Sequence, residues 1–319
     1  MIEEFVMANQ EILLESGTNE MELLTFLLGD QPFGLNVAKV ESIEQFDSSL
    51  VSKIPAAPAT LLGMLLYRDR TVPLIDLSAA LDMHGTTASE RQIVIVTEFN
   101  DVVCGFKVDG VKRINRLSWD AFIPVGDFIG SSSASIIGTV TIDESEVLVI
   151  DLEHILAEII PAMAIEEPTD EILGGEKKQS RENMRIMFAE DSKTIRNSLV
   201  RIFKNSGFSN VKAFANGKDA YDALSAISGK AELKGPHPDD LPQVIISDIE
   251  MPKMDGLTLC RKIKETPNLN DIFFIIFSSL INEQMVLKCK RVGADAYITK
   301  PETNRLLSML DKICQGHAI

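Results

Sequence analysis

An apolar run, Val244 to Ile246, ends at Ser247-Asp248 and is followed by Glu250-Met251-Pro252 and Asp255-Gly256. A short apolar run bounded by turn residues reads as a buried strand of a parallel sheet. Asp248 then stands at the strand's C-terminal end, where open α/β sheets place their chemistry. A carboxylate there is a metal ligand, a nucleophile, or both. Other runs end on matching groups: Ile186 to Ala189 on Glu190-Asp191, Phe273 to Phe277 on Ser278, and Ala296 to Thr299 on Lys300. Clustered acids repel, and each raises the others' pKa unless a cation compensates. Hard oxygen ligands with room for water favour Mg2+ over Ca2+ or Mn2+. Acids, a hydroxyl and an ammonium on one sheet edge suit an incoming phosphoryl group. Asp248 attacks, the metal and Lys300 neutralise developing charge, and the Ser278 hydroxyl donates to a phosphoryl oxygen. Taken singly, an Asp at a strand end is usually a helix N-cap, and a lysine before a proline says nothing. Their joint occurrence on four ordered strand ends carries the phosphoryl reading.

Those ends need a sheet to hold them. Over residues 184–319 strand-like runs alternate with helical patterns, which predicts a doubly wound α/β domain with a five-stranded parallel sheet. Helices are expected over 194–206, 218–227, 257–264, 283–292 and 304–314. Residues 228–243, with Gly235-Pro236-His237-Pro238, read as an inserted loop. Residues 164–183 are charged, contain Gly and Pro and lack apolar periodicity, which is the character of a linker. Residues 21–163 carry short strand-like runs at 23–28, 33–37, 72–77, 92–98, 102–108, 136–142 and 146–151, closed by a helix over 152–159. Such spacing predicts an all-β barrel or sandwich. Residues 1–20 read as an N-terminal helical segment with an apolar face of Ile12, Leu13 and Leu14.

The chain has 319 residues, enough for two domains with their own cores. A formal net charge of −16 argues against a nucleic-acid surface and against docking to anionic lipid. No apolar stretch is long enough to span a bilayer, so direct membrane insertion is not expected. The acidic N-terminus and four scattered cysteines read as a cytoplasmic protein with reduced thiols. The β-rich half has neither a phosphate loop nor a catalytic constellation, and reads as a binding module.

Two families are resembled. Glu190-Asp191, Asp248 with Met251-Pro252 and Asp255-Gly256, Ser278-Ser279, Gly293-Ala294 and Tyr297 through Lys300-Pro301 resemble the receiver domain of response regulators. The resemblance implies Asp248 as phospho-acceptor. It implies Glu190, Asp191, Asp248 and the Glu250 carbonyl as Mg2+ ligands, and Ser278 with Tyr297 as a switch pair. In the first half, 33–40, 63–68, 72–77 and 108–111 resemble the CheW-like chemotaxis coupling domain, a pair of small β-barrels. By that resemblance Val40, Gly63, Arg68, Val111 and Ile114 fall on positions used for partner contact. Leu66 stands where an Asn is usual and Asp69 where a Gly is usual, and Asp69 is expected to pair with Arg68.

The two halves in this order resemble the CheV-type hybrid coupling proteins. The implied partners are a chemotaxis histidine kinase and methyl-accepting chemoreceptors, at receptor arrays on the inner face of the membrane. The implied function is a non-enzymatic adaptor whose coupling is regulated by phosphorylation of Asp248, giving adaptation. An alternative makes the receiver a phosphate sink for the kinase. A phosphorylation-gated transcription factor or enzyme is a remoter one, since the receiver runs to the end of this sequence and the first half has neither a basic face nor a catalytic set.

Overall fold

The computed structural model describes residues 20–83, 92–99, 102–125, 135–160, 167–169, 178–234, 241–279, 281, 283–300 and 302–316. The expected N-terminal helical segment lies outside them. The chain divides into two compact units, Met1–Ala162 and Met163–Ile319.

The first unit is all-β, built on two six-stranded sheets. Its strands are β1 (Glu20–Leu28), β2 (Gln31–Asn36), β3 (Val40–Gln45), β4 (Val51–Ser52), β5 (Leu61–Tyr67), β6 (Arg70–Asp76), β7 (Ile93–Phe99), β8 (Val102–Val108), β9 (Gly110–Ser118), β10 (Ile123–Pro124), β11 (Ile136–Ile142) and β12 (Ser145–Ile150). One sheet runs β10-β11-β12-β2-β1-β9 and the other β3-β7-β8-β6-β5-β4. All pairs are antiparallel except β12 with β2 and β6 with β8. Each sheet buries its own apolar face: Leu65, Val72, Leu74, Val94 and Val96 in one, Met21, Leu23, Val140, Val147 and Val149 in the other. Two short helices are α1 (Leu77–Ala80) and α2 (Leu152–Ile159), capped by the carboxylates of Asp76 and Asp151.

Strand β9 is hidden in the sequence because Lys112 and Arg113 are both exposed and break the period of two. The register against β1 shifts there, from Leu24 facing Ile114 to Phe26 facing Val111. Thr25 fills the irregularity by donating its hydroxyl to the Arg113 carbonyl at 2.8 Å.

The second unit opens with α3 (Lys178–Asn183), read above as the end of a linker, and then alternates. Its strands are β13 (Arg185–Ala189), β14 (Asn210–Phe214), β15 (Val244–Ser247), β16 (Phe273–Ser278) and β17 (Ala296–Thr299). Its helices are α4 (Lys193–Asn205), α5 (Gly217–Lys234), α6 (Gly256–Glu265), α7 (Glu283–Arg291) and α8 (Thr303–Cys314). The sheet is parallel throughout, in the order β14-β13-β15-β16-β17. The order reverses between β13 and β15, and doubly wound sheets bind their ligands at such a switch point. The central strands are buried on both faces, as their unbroken apolar runs require. Helix α5 continues to Lys234, so the inserted loop is shorter than expected. Ser228-Gly229 looks like a stop, but Lys230-Ala231-Glu232-Leu233-Lys234 are all strong helix formers and carry the helix past it.

Candidate functional site

The ends of β13 and β15 bring three acids together. Oxygens of Glu190, Asp191 and Asp248 lie within 4.8 Å of one another. Glu190 and Asp248 are only 2% and 5% exposed. Asp248 does not cap a helix. That task falls to Asp255, whose Oδ1 accepts from Thr258 N at 2.7 Å at the start of α6. Ser192, not Glu190 or Asp191, caps α4.

Lys300 closes the cluster from the end of β17. Its Nζ lies 2.7 Å from Glu190 Oε2 and 2.9 Å from Asp248 Oδ2, and it is 3% exposed. The other oxygen of Asp248 accepts from Ile249 N at 2.6 Å. Burial pushes the Glu190 carboxyl well above the usual carboxylate range. Lys300 pulls it back, and the charges of Asp248 and Asp191 push it up again. Burial is the largest of these effects, and Lys300 is the cation that opposes it.

The backbone that carries the acids is itself held. Arg196, on α4, donates from Nη1 to the carbonyls of Glu190 at 2.6 Å and Asp191 at 2.9 Å. Ser192 N donates to Glu190 Oε1 and Asp191 Oδ1 at 3.3 and 3.0 Å. Gly256 lets α6 start against the acid strand, since a Cβ there would lie 1.9 Å from the Asp248 carbonyl oxygen. Gly217 does the same for the loop beyond, where a Cβ would meet the Met254 carbonyl at 2.5 Å. Arg196 escaped the sequence reading, because an arginine on an amphipathic helix looks like a solvated one.

Ser278 ends β16 and is buried, and its carbonyl accepts from Lys300 N at 3.2 Å. Tyr297 lies on β17, half-buried, opposite Ile276. Glu250 is half-buried two residues past Asp248. The acids, Ser278 and Lys300 thus all end neighbouring strands of one sheet.

The five coupling-half residues differ in exposure. Val40 is 4% exposed, so its side chain is core rather than contact. Gly63 is buried with φ +149°, and a Cβ there would come within 2.4 Å of the Ser52 carbonyl. Its role is close backbone approach at the register shift between Leu61 and Gly63 in β5. Val111 and Ile114 are half-buried on β9. Arg68 alone is well exposed, at 57%. Its guanidinium pairs with Glu41 at 3.0 Å, not with Asp69 as expected, and lies 5.0 Å above the Tyr67 ring. The reason is the turn. Arg68 and Asp69 are the two central residues of the β5–β6 hairpin with φ of 42° and 63°, the geometry of a type I′ turn. Glu41 comes from β3.

A parallel doubly wound sheet with an acid cluster and a lysine at its switch point, joined to an all-β unit of two sheets, defines a two-domain signalling protein with a receiver. Comparison with known proteins agrees. Residues 22–159 match the CheW-like domain and residues 186–311 the response regulator receiver domain. The chain is 32% identical to chemotaxis protein CheV3 of Helicobacter pylori, over 90% of this chain and 89% of that one. Chemotaxis protein CheV2 of the same organism is 24% identical over 92% and 95%. Chemotaxis protein CheW of Klebsiella aerogenes is 29% identical over 45% of this chain and 86% of its own. The protein belongs to the CheV family and is a chemotaxis coupling adaptor with a phosphorylatable receiver domain. Among the described residues no helix is long and apolar enough to cross a membrane.

Proposed function

We propose that Asp248 is the phosphorylated residue, and that its phosphorylation by a chemotaxis histidine kinase regulates how the CheW-like half couples that kinase to chemoreceptors. The observation that carries this reading is Lys300 Nζ, which lies within hydrogen-bond reach of Asp248 and Glu190 at the sheet's switch point.

In the reaction a carboxylate oxygen of Asp248 attacks the phosphorus of a phosphohistidine. The P–N bond breaks, the imidazole leaves, and an acyl phosphate forms. Lys300 exchanges its contact with Asp248 for one with the phosphoryl group. Ser278 donates its hydroxyl to a phosphoryl oxygen, and Tyr297 turns with it as the second member of the switch. Glu190, Asp191, Asp248 and the Glu250 carbonyl would hold Mg2+, which would offset the negative charge of the incoming group. The convergence of Glu190, Asp191 and Asp248 oxygens to within 4.8 Å of one another supports that assignment. Arg196 fixes the loop that presents two of the acids.

In the coupling half, Arg68 is the residue we assign to partner contact, with Val111 and Ile114 on a separate strand. Its place on a tight hairpin with an exposed guanidinium supports this, as does the exposed Leu66 beside it, at 52%. Receptor-coupled kinase activity measured with Asp248→Ala tests the regulatory claim. Loss of adaptation supports it. A variant that adapts normally while the kinase drains its phosphate more slowly makes the receiver a phosphate sink instead.

A further inference from the structure

The segment between the two halves is held on the receiver at two described places, of very different strength. Arg181, on α3, is 2% exposed and one of the largest fully buried side chains. Its Nε and Nη2 donate to the two carboxylate oxygens of Asp311 on α8 at 2.7 and 2.8 Å. Nη1 donates to the Ser206 carbonyl at 2.8 Å, and the guanidinium lies 5.5 Å from the Phe208 ring centroid. Removing either partner of such a pair strands a buried charge, so this contact stays closed while the receiver is folded.

The other contact is slight and exposed. Thr169 N donates to Asn304 Oδ1 at 3.1 Å, and Glu167 pairs with Arg201 on α4 at 2.5 Å. Each is the kind of contact that water replaces readily. Asn304 and Asp311 are seven residues apart on α8, about two turns, and so lie on the same side of that helix.

One end of the weak contact is close in sequence to the acid site. Asn304 is in the first turn of α8, four residues after Lys300. The connection is tight, since Glu302 N donates to the Thr299 carbonyl at 2.9 Å. Lys300 Nζ now lies 2.9 Å from Asp248 Oδ2. A phosphoryl group on Asp248 would displace that ammonium, and Lys300 is joined to the start of α8 by this short connection.

We infer that the receiver carries a docking site for the chain's own linker, with a permanent hinge at Arg181 and a latch at Thr169 that opens when Asp248 is phosphorylated. The opening rests on the phospho-acceptor reading above; the latch itself does not. Thr169 lies on the covalent path from the receiver to the coupling half, so the latch acts on the segment that joins them.

Residue-level hydrogen exchange on the full chain tests this, with and without acetyl phosphate and Mg2+, in wild type and Asn304→Ala. In unphosphorylated wild type the Thr169 amide exchanges about fivefold more slowly than in Asn304→Ala, the worth of one hydrogen bond of about 1 kcal/mol. On phosphorylation the wild-type amide speeds up to the variant's rate, while the amides of residues 181–183 stay slow throughout. Equal rates in the two unphosphorylated proteins overturn the latch. A phosphorylated wild type that stays slow overturns its opening. Intact mass of the same samples reads the phosphoryl group. If none is gained, the phospho-acceptor reading falls and the opening falls with it, while the Asn304 comparison still judges the latch.

Discussion

Lys300 and Glu190 meet at 2.7 Å, both almost wholly buried, at the ends of two strands separated in the sheet by β15 and β16. One ammonium there serves two carboxylates, because its Nζ also reaches Asp248. Burial raises the Glu190 carboxyl, and the charge of Lys300 works against that rise.

Lys300→Met removes the only described cation in contact with both acids. Removing one member of a buried ion pair costs about 3–5 kcal/mol, so the receiver's unfolding midpoint in urea falls accordingly. Mg2+ raises the variant's midpoint more than the wild type's, because binding to the folded state alone stabilises it and no ammonium competes for the acids. Equal Mg2+ responses contradict the assignment of these acids as ligands.

Gly256→Ala tests the packing that sets Asp248 in place. The added Cβ meets the Asp248 carbonyl oxygen at 1.9 Å, and backbone has no rotamer with which to yield. The expected loss is about 2–3 kcal/mol in the receiver's unfolding transition. The coupling half's own transition, followed by Trp119 fluorescence, stays where it was.

Asp69→Gly should stabilise the coupling half by about 1 kcal/mol, because Asp69 sits at φ 63°, where glycine is unstrained. Arg68→Ala should change stability by less than about 1 kcal/mol, since the Arg68 side of its pair with Glu41 is 57% exposed. Receptor or kinase binding that falls in Arg68→Ala at unchanged thermal stability supports its role in contact. Unchanged binding removes it from the surface.

Burial pushes the thiols of Cys104 and Cys260 up to about 12 and that of Cys289 to about 11. None is a thiolate at pH 8, so a disulfide reagent should modify at most Cys314 in the folded protein and all four cysteines in urea. Groups with raised folded pKa contribute stability that is complete below the unfolded thiol pKa of about 8.5 and lost as pH rises through 11 to 12. Urea midpoints should therefore hold up to about pH 8 and fall as pH rises from about 8.5 towards 11 to 12.

The acid site was legible because it depends on strand ends, and strand ends follow from apolar runs that stop abruptly. Glu190, Asp191, Asp248, Ser278 and Lys300 all sit where such runs end. What stayed hidden depends on tertiary contact. Arg181 reads as one more charge in a polar linker until Asp311, 130 residues away, arrives to bury it. Val40 matches a contact position by motif and is core by packing. Strand β9 is disguised by two exposed cations at a bulge, and the extent of α5 by a Ser-Gly pair that tertiary structure overrides. Periodicity sees faces and ends; it does not see which charge finds its partner.

The most direct measurement is the location of the phosphoryl group. The full chain is incubated with acetyl phosphate and Mg2+, trapped with borohydride, and mapped by mass spectrometry. Modification is expected at Asp248, absent when the divalent cation is removed and absent in Asp248→Asn. Modification at another residue, or labelling of Asp248 that is indifferent to the cation, contradicts it.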